Sequence, residues 1–581
     1  MTPARTGPAF DVQDIPFSRS GSWFGISPVT ALQTYADDLH LVSHQTGMHP
    51  VLRLVPVLEG RRVETAITAT PSRLDWTHRG PSSVGTIELA YESPDTVLLR
   101  GRGLGLRLLA ANPVLTPFSG TYLYRDPVDG AYVFTAYETG RRYRVTVLAG
   151  HDVHADGVQQ LGEGERGLHL SEAGGAWEIA VEEYDSARPP YRRAAPFGRA
   201  VDAVRAEFDA FLEAVAPWRS ERSPAAELAA YVLWSATVRP AGFLRRPAVL
   251  MSKHWMDKVW SWDHCFNALA LAEGLPALAW DQFALPFDHQ DETGALPDSV
   301  AHSEILYNYV KPPIHGWALG RLRTLMCKPP AREELAEAYA RLERWTRYWL
   351  TARRAPGRSL PHYHHGNDSG WDNATTFDPQ RVVETGDLSA LLVLQLRELA
   401  RLADELGDAA AASQWTKSAH ELQAALLDQL WDGGRFVARP ADGDAPDWTS
   451  SSLLDLMPVV LGEDLPPDVM AALAEGVESH LTPYGLATEH PSSPHYREDG
   501  YWRGPIWAPS TILIEDGLRR GGHTRLADEI SARFRRLCES SGFAENFGAR
   551  SGSALRDRAY TWTASAYLVL AAAHEQREAR R

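Results

Sequence analysis

Two carboxylates in aromatic surroundings stand out as residues able to do chemistry. Asp372 lies in SGWDN (Ser369–Asn373) and Glu545 in FAENF (Phe543–Phe547). In the first segment Gly370 permits a tight turn, Trp371 can wall off solvent, and Asp372 emerges next to the Asn373 amide. A carboxyl against an indole is partly desolvated, so its pKa rises and it holds a proton near neutrality, as a general acid must. Glu545 has two readings: an ionised partner to such an acid, or a capping or surface glutamate like most others. One protonated and one ionised carboxyl on separate aromatic-lined loops form the apparatus for cleaving a glycosidic bond.

Other loop segments carry the same mixture of Trp and polar groups. In KVWSWDHCF (Lys258–Phe266), Asp263 either caps a helix or binds sugar hydroxyls beside the Trp260 and Trp262 faces. In YNYVKPPIHGW (Tyr307–Trp317), Pro312 and Pro313 fix an extended entry into a helix, placing Tyr307, His315 and Trp317 near the loop face or in a packed helix start. YWRGPIW (Tyr501–Trp507) sets Trp502, Arg503 and Gly504 before another helix, and YTW (Tyr560–Trp562) opens the last one with Trp562. HYHHGNDSGWDN (His362–Asn373) invites a metal reading, but no His-x-x-x-His pair or Cys/His cluster accompanies it. No metal and no cofactor is therefore expected. G-x-S-x-G, P-loop, CxxC and HExxH motifs are missing from the sequence, and GRGLG (Gly101–Gly105) reads as a hairpin between two strands.

The elements that must position these loops divide the chain in two. From about residue 20 to 185, short runs such as RLVPVLEG, TIELAYE, TVLLRGRG and RRYRVTVLAG alternate with turn residues, the pattern of an antiparallel sandwich. FGRAVDAVRAEFDAFLEAVAPW is an amphipathic connecting helix. Beyond it twelve helices are expected: Ala226–Arg239, Trp262–Glu273, Ala277–Asp288, Ile314–Leu325, Arg332–Thr351, Asp387–Leu406, Ala409–Leu430, Thr449–Leu456, Pro467–His480, Ile506–Arg519, Arg525–Ser540 and Ala559–Glu575. Short turns alternate with long Trp-, Gly- and Pro-rich loops, which suggests an (α/α)6 toroid with its long loops gathered at one end. The expected division is a β-sandwich domain over 1–195, a helical linker over 196–224 and an (α/α)6 barrel over 225–581.

Length and composition agree: 581 residues exceed what one core sustains, so more than one domain is expected. A net charge of -16 argues against nucleic acid or an anionic membrane as partner. The 19 Trp suit a small carbohydrate as the ligand. The three separated cysteines, the lack of an apolar core in MTPARTGPAF and the lack of a long apolar run point to the cytoplasm.

WSWDHCF, KPPIHGWAL, NDSGWDN, YWRGPIW, ENF and YTWTASAYL, in that order over residues 225–581, resemble the (α/α)6 glycoside hydrolases of clan G. The similarity is to family 63 and its mannosylglycerate/glucosylglycerate hydrolase-like domain and, more distantly, to the trehalases. The resemblance implies an exo-acting, inverting α-glycosidase with Asp372 as general acid and Glu545 as the base that activates water, which requires the two to stand roughly 6.5–9.5 Å apart. It also implies sugar contacts from Trp262, Asp263, Trp371, Trp502, Arg503 and Trp562; the loop motifs add Trp260, Tyr307, His315, Asn373 and Gly504. Lys311 departs from the Gln frequent in relatives, and His364–His365 match no family feature. A sugar isomerase or epimerase using His315, His364 and His365, and a sugar-binding protein without turnover, are the alternatives.

Overall fold

Runs of Val, Leu, Ile and Tyr between turns form two antiparallel sheets in the computed structural model, which describes residues 7–79, 84–150, 152–173, 175–442 and 446–580. Residues 1–6, part of the amino-terminal segment read above, lie outside it. One sheet runs Phe24–Ala31, Thr34–Ser43, His49–Leu58, Gly105–Ala110, Gly167–Leu170, Val153–Asp156. The other runs Thr121–Arg125, Tyr132–Ala136, Arg141–Ala149, Trp177–Tyr184, Thr96–Arg102, Val84–Ser93, Arg73–Arg79, Ala66–Thr70. Leu54 and Leu106 of the first and Leu89 and Ile179 of the second belong to one buried cluster. Thr34–Ser43, TYADDLHLVS, is a strand that residue type disguised: its polar first half is mostly exposed and only its second half is buried.

GRGLG is not a hairpin. Thr96–Arg102 belongs to the second sheet and Gly105–Ala110 to the first, so the segment passes from one sheet to the other. Gly101 is required there because a Cβ would stand 2.4 Å from the Trp177 indole, whose Nε1 donates to the Leu104 carbonyl at 2.8 Å.

The connecting helix, Phe197–Val215, lays Val204, Phe208 and Leu212 against the strand Val84–Ser93 and the helix Ala226–Ala236. Beyond it the helices follow their apolar periodicity. Asp263–Leu271, His315–Leu325, Gly386–Leu406, Leu453–Asp464, Ala508–Arg520 and Thr561–Arg580 each pack on the next, and the last returns to the first. The second group, Pro276–Ala284, Arg332–Thr351, Ala409–Leu430, Pro467–Ser479, Thr524–Ser541 and Ala226–Ala236, packs on that circuit, with both Arg332–Thr351 and Ala409–Leu430 against Gly386–Leu406. Asp263–Leu271 and Ala508–Arg520 are buried on nearly every face, whereas Arg332–Thr351 and Thr524–Ser541 bury a single stripe, as their amphipathic sequences require.

The helix expected over Thr449–Leu456 begins later and is tighter, a 3-10 run over Leu453–Asp464. Pro458 within it lacks the N–H a regular turn needs, and Gly462, at φ 57°, breaks it. Among the described residues no helix is long and apolar enough to cross a membrane.

Candidate active site

Segments leading into five circuit helices line a cavity of about 220 Å³. Trp260 and Trp262 precede the helix from Asp263, and Lys311 precedes the helix from His315. Gly370 and Asp372 come from the long loop before Gly386, Tyr501, Trp502 and Trp507 precede Ala508, and Tyr560 and Trp562 open the last helix.

The aromatic wall is interlocked. Trp502 and Trp507 stack at 4.1 Å and Trp371 lies 4.7 Å from Trp502, while Trp562 meets Trp262 and Trp507 edge-on at 5.8 and 5.5 Å. Gly370 holds φ 74° and closes the short helix Gly366–Ser369; a Cβ there would come within 2.5 Å of the Trp262 ring. Asp368 ties the acid loop to its neighbours, accepting from Arg353 Nη1 at 2.7 Å, His364 N at 2.8 Å and Val310 N at 3.1 Å.

Asp372 is partly buried on the cavity wall, and the Tyr501 hydroxyl hydrogen-bonds it. Burial raises its pKa, outweighing the opposing effects of Lys311 and of that hydrogen bond. Glu545 is 3% exposed and lies behind the lined surface, where Trp562 Nε1 donates to its carbonyl at 3.4 Å. Burial, then the neighbouring Asp557 carboxylate, pushes the Glu545 carboxyl up to about 8, and Asp372 adds to the effect. Both groups are thus raised, so burial by itself does not divide them into one acid and one ionised base. Asp263 is likewise pushed up to about 8 by burial. It is the first helical residue and makes no cap, and its Oδ2 is buried without a hydrogen-bond partner.

Trp260, Trp262, Asp263, Asp372, Trp502 and Trp562 line the cavity together. Other expected contacts lie off that surface for physical reasons. His315 is wholly buried among Phe283, Phe287 and Trp345, with Nε2 2.9 Å from the Ser261 carbonyl and its pKa pushed down to about 4 by burial. Tyr307 is 48% exposed and donates to the His289 carbonyl at 2.6 Å. Asn373 and Arg503 fasten two loops together: Asn373 Oδ1 accepts from Trp502 N at 2.9 Å, and Arg503 Nε donates to the Asn373 carbonyl at 2.7 Å and pairs with Asp378. Gly504, at φ 143°, has no room for a Cβ beside the Arg497 carbonyl, 2.2 Å away. Trp371 stands behind Trp502, and Trp317 faces a separate cavity, its Nε1 on Asp516 Oδ2 at 2.9 Å.

Sequence reading passed over Asp298, Tyr501 and Tyr560. Asp298 sits in LPDSV with no aromatic neighbour to flag it. Tyr501 stood inside a motif already singled out; its φ of 63°, rare for a non-glycine residue, aims its hydroxyl at Asp372. Of the histidines, His365 stacks on Tyr309 at 5.3 Å and His362 lies 5.2 Å from His364. Among the described residues no three His, Cys, Asp or Glu side chains gather to hold a metal ion.

Residues 256–563 match the family described as the mannosylglycerate hydrolase MGH1-like glycoside hydrolase domain. A mannosylglycerate hydrolase of Rubrobacter radiotolerans is 24% identical over 410 residues, 53% of this chain and 89% of that protein. A glucosylglycerate hydrolase of Mycolicibacterium hassiacum is 22% identical over 441 residues, 59% of this chain and 97% of that one. Among solved structures, the GH63 mannosylglycerate hydrolase of Thermus thermophilus in complex with glucose superposes with a TM-score of 0.52 at 20% identity, covering 59% of this chain and 98% of that one. That likeness is one of fold, over 59% of this chain.

Proposed function

Since the chain belongs to the mannosylglycerate hydrolase MGH1-like glycoside hydrolase family, we propose that it is an exo-acting, inverting α-glycosidase cleaving a terminal α-glucosidic or α-mannosidic bond in a small glycoside. Asp372 protonates the leaving oxygen and Glu545 activates the attacking water. The carrying observation is Asp372 itself: a carboxyl with raised pKa, held by Tyr501 on an indole-lined wall and electrostatically coupled to the buried Glu545. The unpartnered Asp263 Oδ2 beside Trp262 suits a sugar hydroxyl. Trp260 and Trp562 supply the stacking faces, Trp502 contributes an edge to the wall, and Asn373, Arg503 and Gly504 set the loop that carries it.

The closed circuit of six helices with six others packed on it supports an (α/α)6 barrel over 225–581, preceded by a β-sandwich over 1–195 and a linker over 196–224. A cytoplasmic location suits the three free cysteines. An isomerase would need paired histidines on the cavity wall, and none of the described residues lining it is a histidine.

Asp372→Asn and Glu545→Gln are each expected to lower kcat by at least about a hundredfold with the fold intact, the scale of a lost general acid or base. Proton NMR of the first-released sugar should show the β anomer from an α-glycoside. Undiminished activity in both variants, or release of the α anomer, overturns the assignment.

A further inference from the structure

Glu545 owes its place to Asp557. The Glu545 N–H donates to the Asp557 carbonyl at 2.7 Å, and the Asp557 side chain is in turn fixed from three directions. That carboxyl is wholly buried and accepts from Ala559 N at 3.0 Å, from His254 Nδ1 at 3.1 Å and from the Ser252 hydroxyl. His254 is wholly buried as well, with its ring stacked on Trp255 at 5.6 Å. Its Nε2 has no partner among the described residues, so Asp557 is the acceptor at which its side chain is aimed.

The turn that brings Ser252 and His254 to Asp557, SKHWMD (Ser252–Asp257), is anchored in the amino-terminal β region. Lys253, 3% exposed, reaches out of the helical part and donates from Nζ to Ser18 Oγ at 3.0 Å and to the Ser22 carbonyl at 2.7 Å. His44, directly after the strand Thr34–Ser43, places Nδ1 3.3 Å from Asp257 Oδ2. Next to Ser22, Trp23 is wholly buried in a cluster otherwise made of residues from the helical part, Val238, Leu250, Val259 and Val300 among them, and its Nε1 donates to the Arg239 carbonyl at 3.0 Å. Lys253 and His44 make their contacts out of reach of solvent, where leaving a polar partner unmade is costly. Met256 of the same turn lines the cavity. The turn thus has the β region on one side and the cavity and Asp557 on the other.

We propose that the β region is part of the catalytic apparatus: through Lys253 and His44 it fixes the Ser252–Asp257 turn, and His254 of that turn is a positioning residue that holds Asp557, and through it Glu545, at the cavity. The proposal rests on the glycosidase reading above, in which Glu545 activates water. A base must stand within hydrogen-bond reach of that water, and a displacement of about 1 Å costs as much as about a hundredfold in rate. Neither His254 nor Lys253 is among the described residues lining the cavity, so both act on turnover and leave substrate binding as it is.

The test uses the full chain, with 4-nitrophenyl α-glucoside, 4-nitrophenyl α-mannoside, α-glucosylglycerate and α-mannosylglycerate as substrates. His254→Phe keeps a flat ring on Trp255 and removes the Nδ1 donor; kcat should fall at least about tenfold with KM within about twofold of wild type. His254→Asn, whose amide N–H stands where Nδ1 does, should restore most of that loss. Lys253→Met, which cuts the tie to Ser18 and Ser22, should also lower kcat and leave KM unchanged. In His254→Phe and Lys253→Met, hydrogen exchange over Phe543–Phe547 should quicken at least about tenfold while Arg332–Thr351 exchanges as in the wild type, a pattern that a general loss of stability does not produce. Wild-type kcat in His254→Phe, or a fall that His254→Asn does not restore, overturns the proposal and leaves the glycosidase reading standing. Wild-type kcat and exchange in Lys253→Met overturn the role of the β region, and decide the matter alone should His254→Phe not fold. If the wild type cleaves none of these substrates, the glycosidase reading fails and the proposal falls with it.

Discussion

At the scale of single residues, the proposed chemistry depends on where one proton sits between Asp372 and Glu545. In the proposed mechanism the pair holds one proton, on Asp372, although burial and Asp557 raise Glu545 up to about 8. When two carboxyls interact this closely the limbs of a pH profile belong to the pair. The profile of kcat/KM is therefore expected to be bell-shaped with its alkaline limb near about 8, and Asp557 is the lever on that limb. Its carboxyl accepts from His254 Nδ1 at 3.1 Å and from Ala559 N at 3.0 Å, and its carbonyl accepts the Glu545 N–H at 2.7 Å. Asp557→Asn keeps the backbone bond and removes a charge that raises Glu545. The alkaline limb should then move to lower pH; a limb that stays in place in a folded variant shows that Asp557 does not tune the base. Asp372 and Glu545 stood out in the sequence because each is a carboxyl in an aromatic-rich loop. Their shared elevation did not, because it arises from burial, with Asp557, twelve positions along the chain, adding to it at Glu545.

At the scale of elements, the cavity depends on backbone turns that only glycine makes without strain. Gly370 combines φ 74° with a site for Cβ only 2.5 Å from the Trp262 ring. Gly370→Ala must distort either the turn that presents Asp372 or the indole facing it. The expected result is a destabilisation of about 1–3 kcal/mol from overpacking, measured by chemical denaturation, with kcat lowered at least tenfold. Full activity with unchanged stability would show that the loop relaxes freely. Helices were readable from sequence because a stripe repeating every three to four residues survives whatever it packs against, and Arg332–Thr351 and Ala409–Leu430 match residue for residue. The strands Phe24–Ala31 and Thr34–Ser43 were harder, since the first is buried at six consecutive residues and the second passes from an exposed to a buried half, neither with strict alternation. GRGLG was misread for a related reason: whether two adjacent strands pair or change sheets depends on partners far away in the chain.

At the scale of the whole molecule, burial of acidic groups has a consequence for stability. Burial pushes Glu183 up to about 7 and Asp263 and Glu545 up to about 8. In the unfolded chain carboxyls titrate near about 4, so between that value and the folded one the native state binds more protons. Stability from these groups is present below the unfolded pKa and is lost as pH rises through 7 to 8. Burial holds His264, His315 and His480 down to about 4, and this stabilises the fold above about 6.5, where it no longer varies with pH. The melting temperature should therefore fall from pH 6.5 to 9, and Asp263→Asn should flatten the decline. A Tm that rises over this range contradicts the electrostatics described here.

The amino-acid sequence by itself determined the order of a strand-rich part, a connecting helix and a helical part, and it marked the loops that carry Asp372, Glu545 and the Trp-rich walls. These follow from local rules: periodicity sets the helices, proline and glycine end them, and residue types that are expensive to bury stand out wherever they gather. Tertiary structure alone decided which of those residues face one cavity. His315 is two residues from Trp317 and four from Lys311, yet the helix they enter turns Lys311 toward Asp298, His315 into an aromatic core and Trp317 toward Asp516. A helix start fans neighbouring side chains in different directions, so proximity in sequence says little about shared environment. The Lys311–Asp298 pair on the cavity wall is decided the same way: its members are thirteen residues apart in sequence and joined only when the loops close on each other.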